Sequence, residues 1–309
     1  MKTILIHPEV KGAKEFSNIL SKLIPQYNVT SSFEETELSD IEVVIIWLIV
    51  PDYLSQLPNL KLILSCGSGI DHLIKLSSIP AHVPLIRLVD PYLRDRVSNY
   101  VLEQILERYF PNLSHLDLVE KQNKIYKVVQ KSNLHVGIRG VGLIGSSIVK
   151  KLIDYGFQVS GWANTQKKRG INDVYIGISE LNIFVKQTNI LVCQLPLTQE
   201  TKGILNINLF DNLPDGAFLI NVGRGEHLVE FDLVLGLKKG KLSGACLDVL
   251  PVYPLPLNHP FNTIPNIKVT PHIAGYIGPD TQAPYACEVI KSYFKNKKVE
   301  GIVNYKLMY

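Results

Sequence analysis

The chain has 309 residues, 46% of them hydrophobic, with 32 Lys and Arg against 28 Asp and Glu. At roughly 100 to 200 residues per domain, that length predicts two domains, each with its own buried core. A formal net charge of +4 is too small to point to nucleic acid or to an anionic membrane surface, and neither partner is expected.

Lys2 to His7 reads as a strand. Its apolar part is too short for a signal peptide, because His7 and Pro8 end it. Ala13 to Ile24 follows as a helix. The longest apolar run, Val43 to Val50, stops at Pro51 and falls far short of the roughly 20 residues that span a bilayer. It reads as a buried strand, Val43 to Leu48. Strands at Leu60 to Ser65 and Leu85 to Leu88 come next, then a long helix from Asp95 to Phe110. A second series begins at Leu134 to Ile138. It continues through Phe157 to Trp162, Ile190 to Leu195, Ala217 to Val222, Gly244 to Val249 and Ile267 to Val269. Continuous apolar strands alternating with helices predict parallel sheets covered on both faces. The fold class expected is therefore α/β, with two doubly wound, Rossmann-like or flavodoxin-like domains. With no targeting or spanning segment, the cytoplasm is the expected location.

The four cysteines, Cys66, Cys193, Cys246 and Cys287, are far apart and show no CxxC spacing. Clustered zinc ligands and a disulfide framework are both excluded, so four thiols and no metal are expected. The cationic run at Lys295, Lys297 and Lys298 falls on a stretch that reads as helix, and is expected to be a solvated helix end.

The stretch His135-Val136-Gly137-Ile138-Arg139-Gly140-Val141-Gly142-Leu143-Ile144-Gly145 contains GxGxxG between an apolar strand and a helical pattern of Ile148, Val149, Leu152 and Ile153. That context turns a weak motif into a dinucleotide site. Gly140 permits the tight turn, Gly142 lets the backbone approach a pyrophosphate, and Gly145 lets the helix pack on the strand. The pyrophosphate would rest on free N–H groups at the helix N-terminus, with Gly140, Gly142, Leu143, Ile144 and Gly145 as the contact set. An acidic residue about 20 positions on would bind the ribose hydroxyls. Here the second strand runs into Ala163-Asn164-Thr165-Gln166-Lys167-Lys168-Arg169, with no Asp or Glu. A carboxylate repels a 2′-phosphate, and its absence beside cations accepts one. Asn164, Thr165 and Lys167 are therefore expected at NADP, with NAD as the alternative.

Further segments follow in order: Asn59-Leu60-Lys61-Leu62-Ile63-Leu64-Ser65-Cys66-Gly67-Ser68-Gly69-Ile70-Asp71-His72, Leu195-Pro196-Leu197-Thr198, Ile220-Asn221-Val222-Gly223-Arg224-Gly225, Gly244-Ala245-Cys246-Leu247-Asp248-Val249 and Thr270-Pro271-His272-Ile273-Ala274-Gly275. Together they resemble the D-isomer-specific 2-hydroxyacid dehydrogenases, nearest the glyoxylate and hydroxypyruvate reductase branch. The resemblance covers most of the chain. It implies a substrate domain from residues 1–96 and 283–309, a dinucleotide domain from 97–282, an active site in the cleft between them, and a homodimer. It implies NADP or NAD as cofactor and a small 2-oxo acid as substrate.

Reducing a 2-oxo acid needs a cation for the carboxylate and ketone, a proton donor and a placed hydride. Arg224 suits the first role, because guanidinium forks onto carboxylate oxygens and stays charged. Flanked by two glycines, it is expected on an exposed strand-end turn. Backbone N–H groups of Ser68 and Gly69 would add carboxylate donors. His272 suits the proton donor, with an ordinary pKa near 6.5. By resemblance Asp248 contacts the nicotinamide amide, and Pro196 and Val222 join the cofactor set. One position departs from the family. A Glu stands there just before Pro-Leu-Pro and bonds the histidine; here Tyr253 occupies that place, and no Asp or Glu lies between Val249 and Pro271. Tyr253 is left to orient the ring through its neutral hydroxyl, and a slower reductase is expected. A formate- or phosphite-type dehydrogenase and a cofactor-sensing protein without turnover are the alternatives. A second departure is Asn99 before Tyr100, where the family often carries an acid.

Overall fold

A computed structural model describes residues 1–33, 36–47, 54–74, 79–80, 82–109, 130–165, 171 and 173–305. Its contacts divide the chain into two compact units, Met1–Leu93 with Ile277–Tyr309, and Arg94–Tyr276. The first limit lies three residues and the second six residues before the expected boundaries, and the Pro91–Tyr109 helix runs through the first of them.

The first unit is built on five parallel strands, β1 (Thr3–Ile6), β2 (Asn28–Thr30), β3 (Ile41–Ile46), β4 (Leu62–Ser65) and β5 (Leu85–Arg87), in the order β2-β1-β3-β4-β5. Every residue of β1, β3 and β4 is buried. Successive side chains of a strand point to opposite faces. Ile4, Ile6, Val43, Ile45, Leu62 and Leu64 accordingly pack with Phe16, Leu20, Ala283 and Ile290 of the Ala13–Leu23 and Pro279–Phe294 helices. Leu5, Val44, Ile46 and Ile63 form a separate cluster with Leu54, Leu57 and Leu73. Burial on both faces explains the unbroken apolar runs in the sequence.

The second unit carries seven parallel strands, β6 (His135–Arg139), β7 (Gln158–Ala163), β8 (Val174–Ile176), β9 (Ile190–Cys193), β10 (Ala217–Asn221), β11 (Leu242–Leu247) and β12 (Ile267–Val269), in the order β12-β11-β10-β9-β6-β7-β8. Strand order reverses at β6, which pairs with β7 on one side and β9 on the other. In doubly wound sheets ligands bind at such a switch point, outside the carboxyl ends of the strands.

β2 and β8 are absent from the sequence reading. Both are three-residue edge strands with exposed or half-buried side chains, so neither leaves an apolar run. The Pro91–Tyr109 helix starts before the expected Asp95, where Asp90 Oδ1 accepts the Leu93 N–H at 2.7 Å. Leu48 and Phe110, expected at element ends, lie outside the described residues. The cationic run does not belong to a helix: the last one ends at Phe294, and Asn296 turns the chain with φ 52°. All four cysteines are free, three of them buried. Among the described residues no helix is long and apolar enough to cross a membrane, and no metal-ligating cluster forms.

Ile45 is fully buried in β3, between β1 and β4. Ile45→Ala removes packing that cannot fully collapse, and is expected to cost about 2–5 kcal/mol. A lower urea midpoint for the unfolding of that unit, with an unchanged slope, checks it.

Candidate active site at the strand carboxyl ends

The phosphate turn leaves β6 at Gly140, with φ 108° and its N–H donated to the Trp162 carbonyl at 2.9 Å. A Cβ on Gly140 would lie 2.6 Å from the Gln194 carbonyl oxygen, and one on Gly145 only 1.9 Å from the Gly140 carbonyl oxygen. Those two glycines are demanded by the fold. Gly142 is different: its φ of −73° suits any residue, and a Cβ there meets nothing within 4 Å. The fold alone gives no reason for glycine at this position, whereas a pyrophosphate laid on the turn does. The Leu143–Asp154 helix starts here, and the N–H groups of Leu143, Ile144 and Gly145 precede its first internal bond, from Ser146 N to Gly142 O. Such leading N–H groups and the helix dipole favour an anion. Behind the turn Arg139 is 2% exposed, sits 5.0 Å from the Trp162 ring and donates to the Ile204 carbonyl. Burial brings its pKa down to about 10, so it stays a cation at neutral pH.

At the end of β7, Asn164 and Thr165 are exposed. Lys167 lies outside the described residues. The residues present fit a dinucleotide with a charged ribose end, since no acid stands between Ala163 and Asn172.

After β10 the chain makes the arginine turn. Asn221 is fully buried and closes the turn on itself: its Nδ2 donates to the Arg224 carbonyl at 2.9 Å, and its Oδ1 accepts from Gly223 N–H at 3.2 Å. Val222 is buried and donates its N–H to the Cys193 carbonyl. A Cβ on Gly223 would come within 2.9 Å of His227 Nδ1, and one on Gly225 within 2.1 Å of the Leu250 carbonyl carbon. The flanking glycines are therefore buried by close approach. The turn is not the exposed one the sequence suggested, and Arg224 between them is half-buried. Its Nη1 donates to the Gly223 carbonyl at 2.8 Å.

Asp248, past the end of β11, is 1% exposed and gathers the next loop. Its Oδ1 accepts from Thr270 Oγ1 at 2.6 Å and from Ile273 N–H at 2.9 Å, and its Oδ2 accepts from Ala274 N–H at 2.9 Å. These donors bracket His272, which takes φ 54° and donates its backbone N–H to the Thr270 carbonyl. Histidine tolerates the left-handed region better than most residues, and three bonds to one carboxylate hold it there. Thr270 has one proton and gives it to the carboxylate, so Tyr100 Oη, 2.6 Å away, must donate to Thr270.

His272 is exposed as a residue. The protein around its ring and the Arg224 guanidinium nonetheless hold its pKa below the ordinary 6.5, against the pull of Asp248. His272 is thus near enough to Arg224 and to Asp248 to feel the charge of each. Tyr253 does not serve the histidine: its hydroxyl donates to the Asp248 backbone carbonyl at 2.7 Å. Burial, with a further push from the Asp248 charge, lifts the phenol to about 12 and keeps its proton on. The expectation that Tyr253 orients the imidazole is corrected accordingly. Among the described residues the His272 ring has no hydrogen-bond partner.

In the first unit, Ser68 and Gly69 follow β4 in a turn closed by Gly67 N–H to Ser65 Oγ at 3.2 Å. Arg87 Nη1 donates to the Ser68 carbonyl at 3.1 Å, while the backbone N–H groups of Ser68 and Gly69 are not engaged within the described residues.

Residues 112–274 match the family model described as the D-isomer specific 2-hydroxyacid dehydrogenase, NAD binding domain. Over their full lengths, the chain is 32% identical to a glyoxylate/hydroxypyruvate reductase A from Serratia proteamaculans and to one from Photorhabdus laumondii. The chain belongs to the D-isomer specific 2-hydroxyacid dehydrogenase family. A solved family member from Xanthobacter autotrophicus, in complex with NADPH and MES, superposes with a TM-score of 0.90 at 28% identity, over 100% of this chain and 99% of that one. The NADPH-dependent glyoxylate/hydroxypyruvate reductase from Sinorhizobium meliloti, in complex with NADP and sulfate, gives 0.86 at 31% identity over the full length of both.

Within the family fold, the second unit brings Gly140 to Gly145, Asn164, Thr165, Pro196, Val222, Arg224, Asp248 and His272 to strand carboxyl ends of one sheet. Sequence reasoning missed Asn221, His227 and Thr270, which act on the site through hydrogen bonds. The histidine three residues past the arginine was the available signal. Gly142→Ala is expected to leave the melting temperature unchanged yet weaken dinucleotide binding at least about tenfold, because the new methyl meets no protein atom within 4 Å and would stand where a pyrophosphate approaches the turn. Gly145→Ala is expected to lower the melting temperature as well. Thermal melts beside NADPH titrations separate the two.

Proposed function

We propose that this enzyme reduces a short 2-oxo acid such as glyoxylate or hydroxypyruvate to the D-2-hydroxy acid, with NADPH as the preferred hydride source and NADH as the alternative. The observation that carries the reading is the placement of Arg224 within electrostatic reach of His272, both beyond the carboxyl ends of the sheet that bears the phosphate turn. The relatives named above as glyoxylate/hydroxypyruvate reductases support the substrate class, and the NADPH- and NADP-bound structures support the cofactor.

The dinucleotide, when bound, supplies a hydride to the carbonyl carbon. Arg224 grips the substrate carboxylate and draws charge onto the carbonyl oxygen. A protonated ring nitrogen of His272 gives its proton to that oxygen, so the product is a hydroxyl and the ring ends neutral. Asp248 has about four acceptor sites and spends three on the histidine loop, which leaves one for a carboxamide N–H. Arg224→Ala and His272→Ala are each expected to cut kcat/KM by about 10²–10⁴-fold in NADPH oxidation assays over a panel of 2-oxo acids. NADPH binding without turnover of any acid would overturn the reading in favour of a cofactor sensor.

The missing Glu sets the pH behaviour. Reduction needs the imidazolium, and the His272 pKa is depressed by burial and by Arg224. The reactive fraction therefore falls as pH rises through a value below 6.5, and kcat/KM for reduction falls with it; oxidation of the hydroxy acid, which needs the neutral ring, rises over the same range. Tyr253→Glu places a carboxylate at the family's position and is expected to move the reduction limb to higher pH and raise the rate at pH 7. Identical pH profiles for the two proteins would refute the role assigned to this position. A homodimer is the proposed assembly, checked by light scattering on the purified chain.

A further inference from the structure

We propose that His227 is a positioning residue, one that sets the arginine turn against the Pro196 loop. This inference rests on the reading of Arg224 as the substrate clamp. His227 is fully buried, three residues past Arg224. Its Nδ1 accepts the Arg224 backbone N–H at 3.0 Å, and its Nε2 lies 3.3 Å from the Pro196 carbonyl. A nitrogen that accepts from an amide carries no proton, so the ring is the neutral tautomer with hydrogen on Nε2, and that hydrogen is donated to Pro196. Cys193 Sγ stands 3.7 Å from the same Nδ1, at the end of β9.

One imidazole thereby spans two elements that serve different ligands. Pro196 belongs to the loop assigned to the cofactor, and its carbonyl also accepts from Thr201 Oγ1 at 2.7 Å. Arg224 belongs to the turn assigned to the substrate. The ring itself cannot drift. Leu205 N–H donates to the His227 carbonyl at 2.8 Å, and Gly203 N–H to the Glu226 carbonyl at 2.9 Å. Gly223 lies so close to the ring that a Cβ there would be 3.0 Å from Cε1. An aliphatic residue of similar volume would fill the space but leave the Arg224 N–H and the Pro196 carbonyl without this link.

The test uses His227→Met, which keeps volume and loses both strong hydrogen bonds, and His227→Gln, which keeps an acceptor and a donor. Amide exchange of Arg224, followed by NMR, reads the turn without any turnover. His227→Met is expected to speed that exchange by about tenfold or more, raise KM for the 2-oxo acid about tenfold and lower kcat, while the NADPH dissociation constant stays within about threefold. His227→Gln is expected to restore exchange and KM to near wild type. Wild-type KM and kcat in His227→Met, or equal damage in both variants, would overturn the proposal. Should the methionine variant fail to fold, the glutamine variant decides: wild-type exchange and KM uphold the proposal, and loss of either overturns it. If the wild-type enzyme turns over no 2-oxo acid, the functional reading fails, while the Arg224 exchange data still decide whether His227 holds the turn.

Discussion

The carboxylate of Asp248 is buried under the loop that carries His272, and nearly everything on that side of the site hangs from it. A buried ionised group is stable only when its lone pairs are taken by donors, and the loop supplies three. The same bonds hold His272 in the left-handed region, where its side chain leaves the backbone in a direction an extended residue would not give. The loop is shaped by the charge beneath it, and the charge is tolerable because the loop closes over it. Tyr253 adds a bond to the backbone carbonyl of the same aspartate, and Tyr100 extends the network through Thr270 into the Pro91–Tyr109 helix.

Around this hub the second constraint is steric. Gly140, Gly145, Gly223 and Gly225 each meet backbone or a buried ring where a Cβ would stand. They let strand ends and turns approach to distances that side chains forbid. Those close approaches fix the turn that carries Arg224 and the turn that opens the Leu143–Asp154 helix. Gly142 is the exception that points outward, toward whatever the turn binds.

Burial does most to disfavour the His272 imidazolium, the Arg224 guanidinium disfavours it further, and Asp248, whose carboxylate is largely engaged by the loop, favours it. The balance leaves the ring less basic than a free histidine. On the proposed reading, in which the ring must be protonated to donate, reduction is best served at lower pH.

The sequence by itself determined the strand register of chemistry. Glycines in GxGxxG after an apolar strand, the lack of an acid before Lys167, and the order of the arginine, aspartate and histidine segments were all legible, because each is a local pattern with a local cause. The long buried strands were legible too, since burial on both faces writes an unbroken apolar run. The edge strands β2 and β8 were not, because an exposed edge imposes no such run. Only the tertiary structure decided where hydrogen-bonding capacity goes. Tyr253 looked free to serve His272 and instead serves the Asp248 carbonyl; His227 looked unremarked and instead links Arg224 to Pro196. Such assignments depend on which strand ends lie side by side, and strand order 12-11-10-9-6-7-8 is set by long-range pairing that no local pattern encodes.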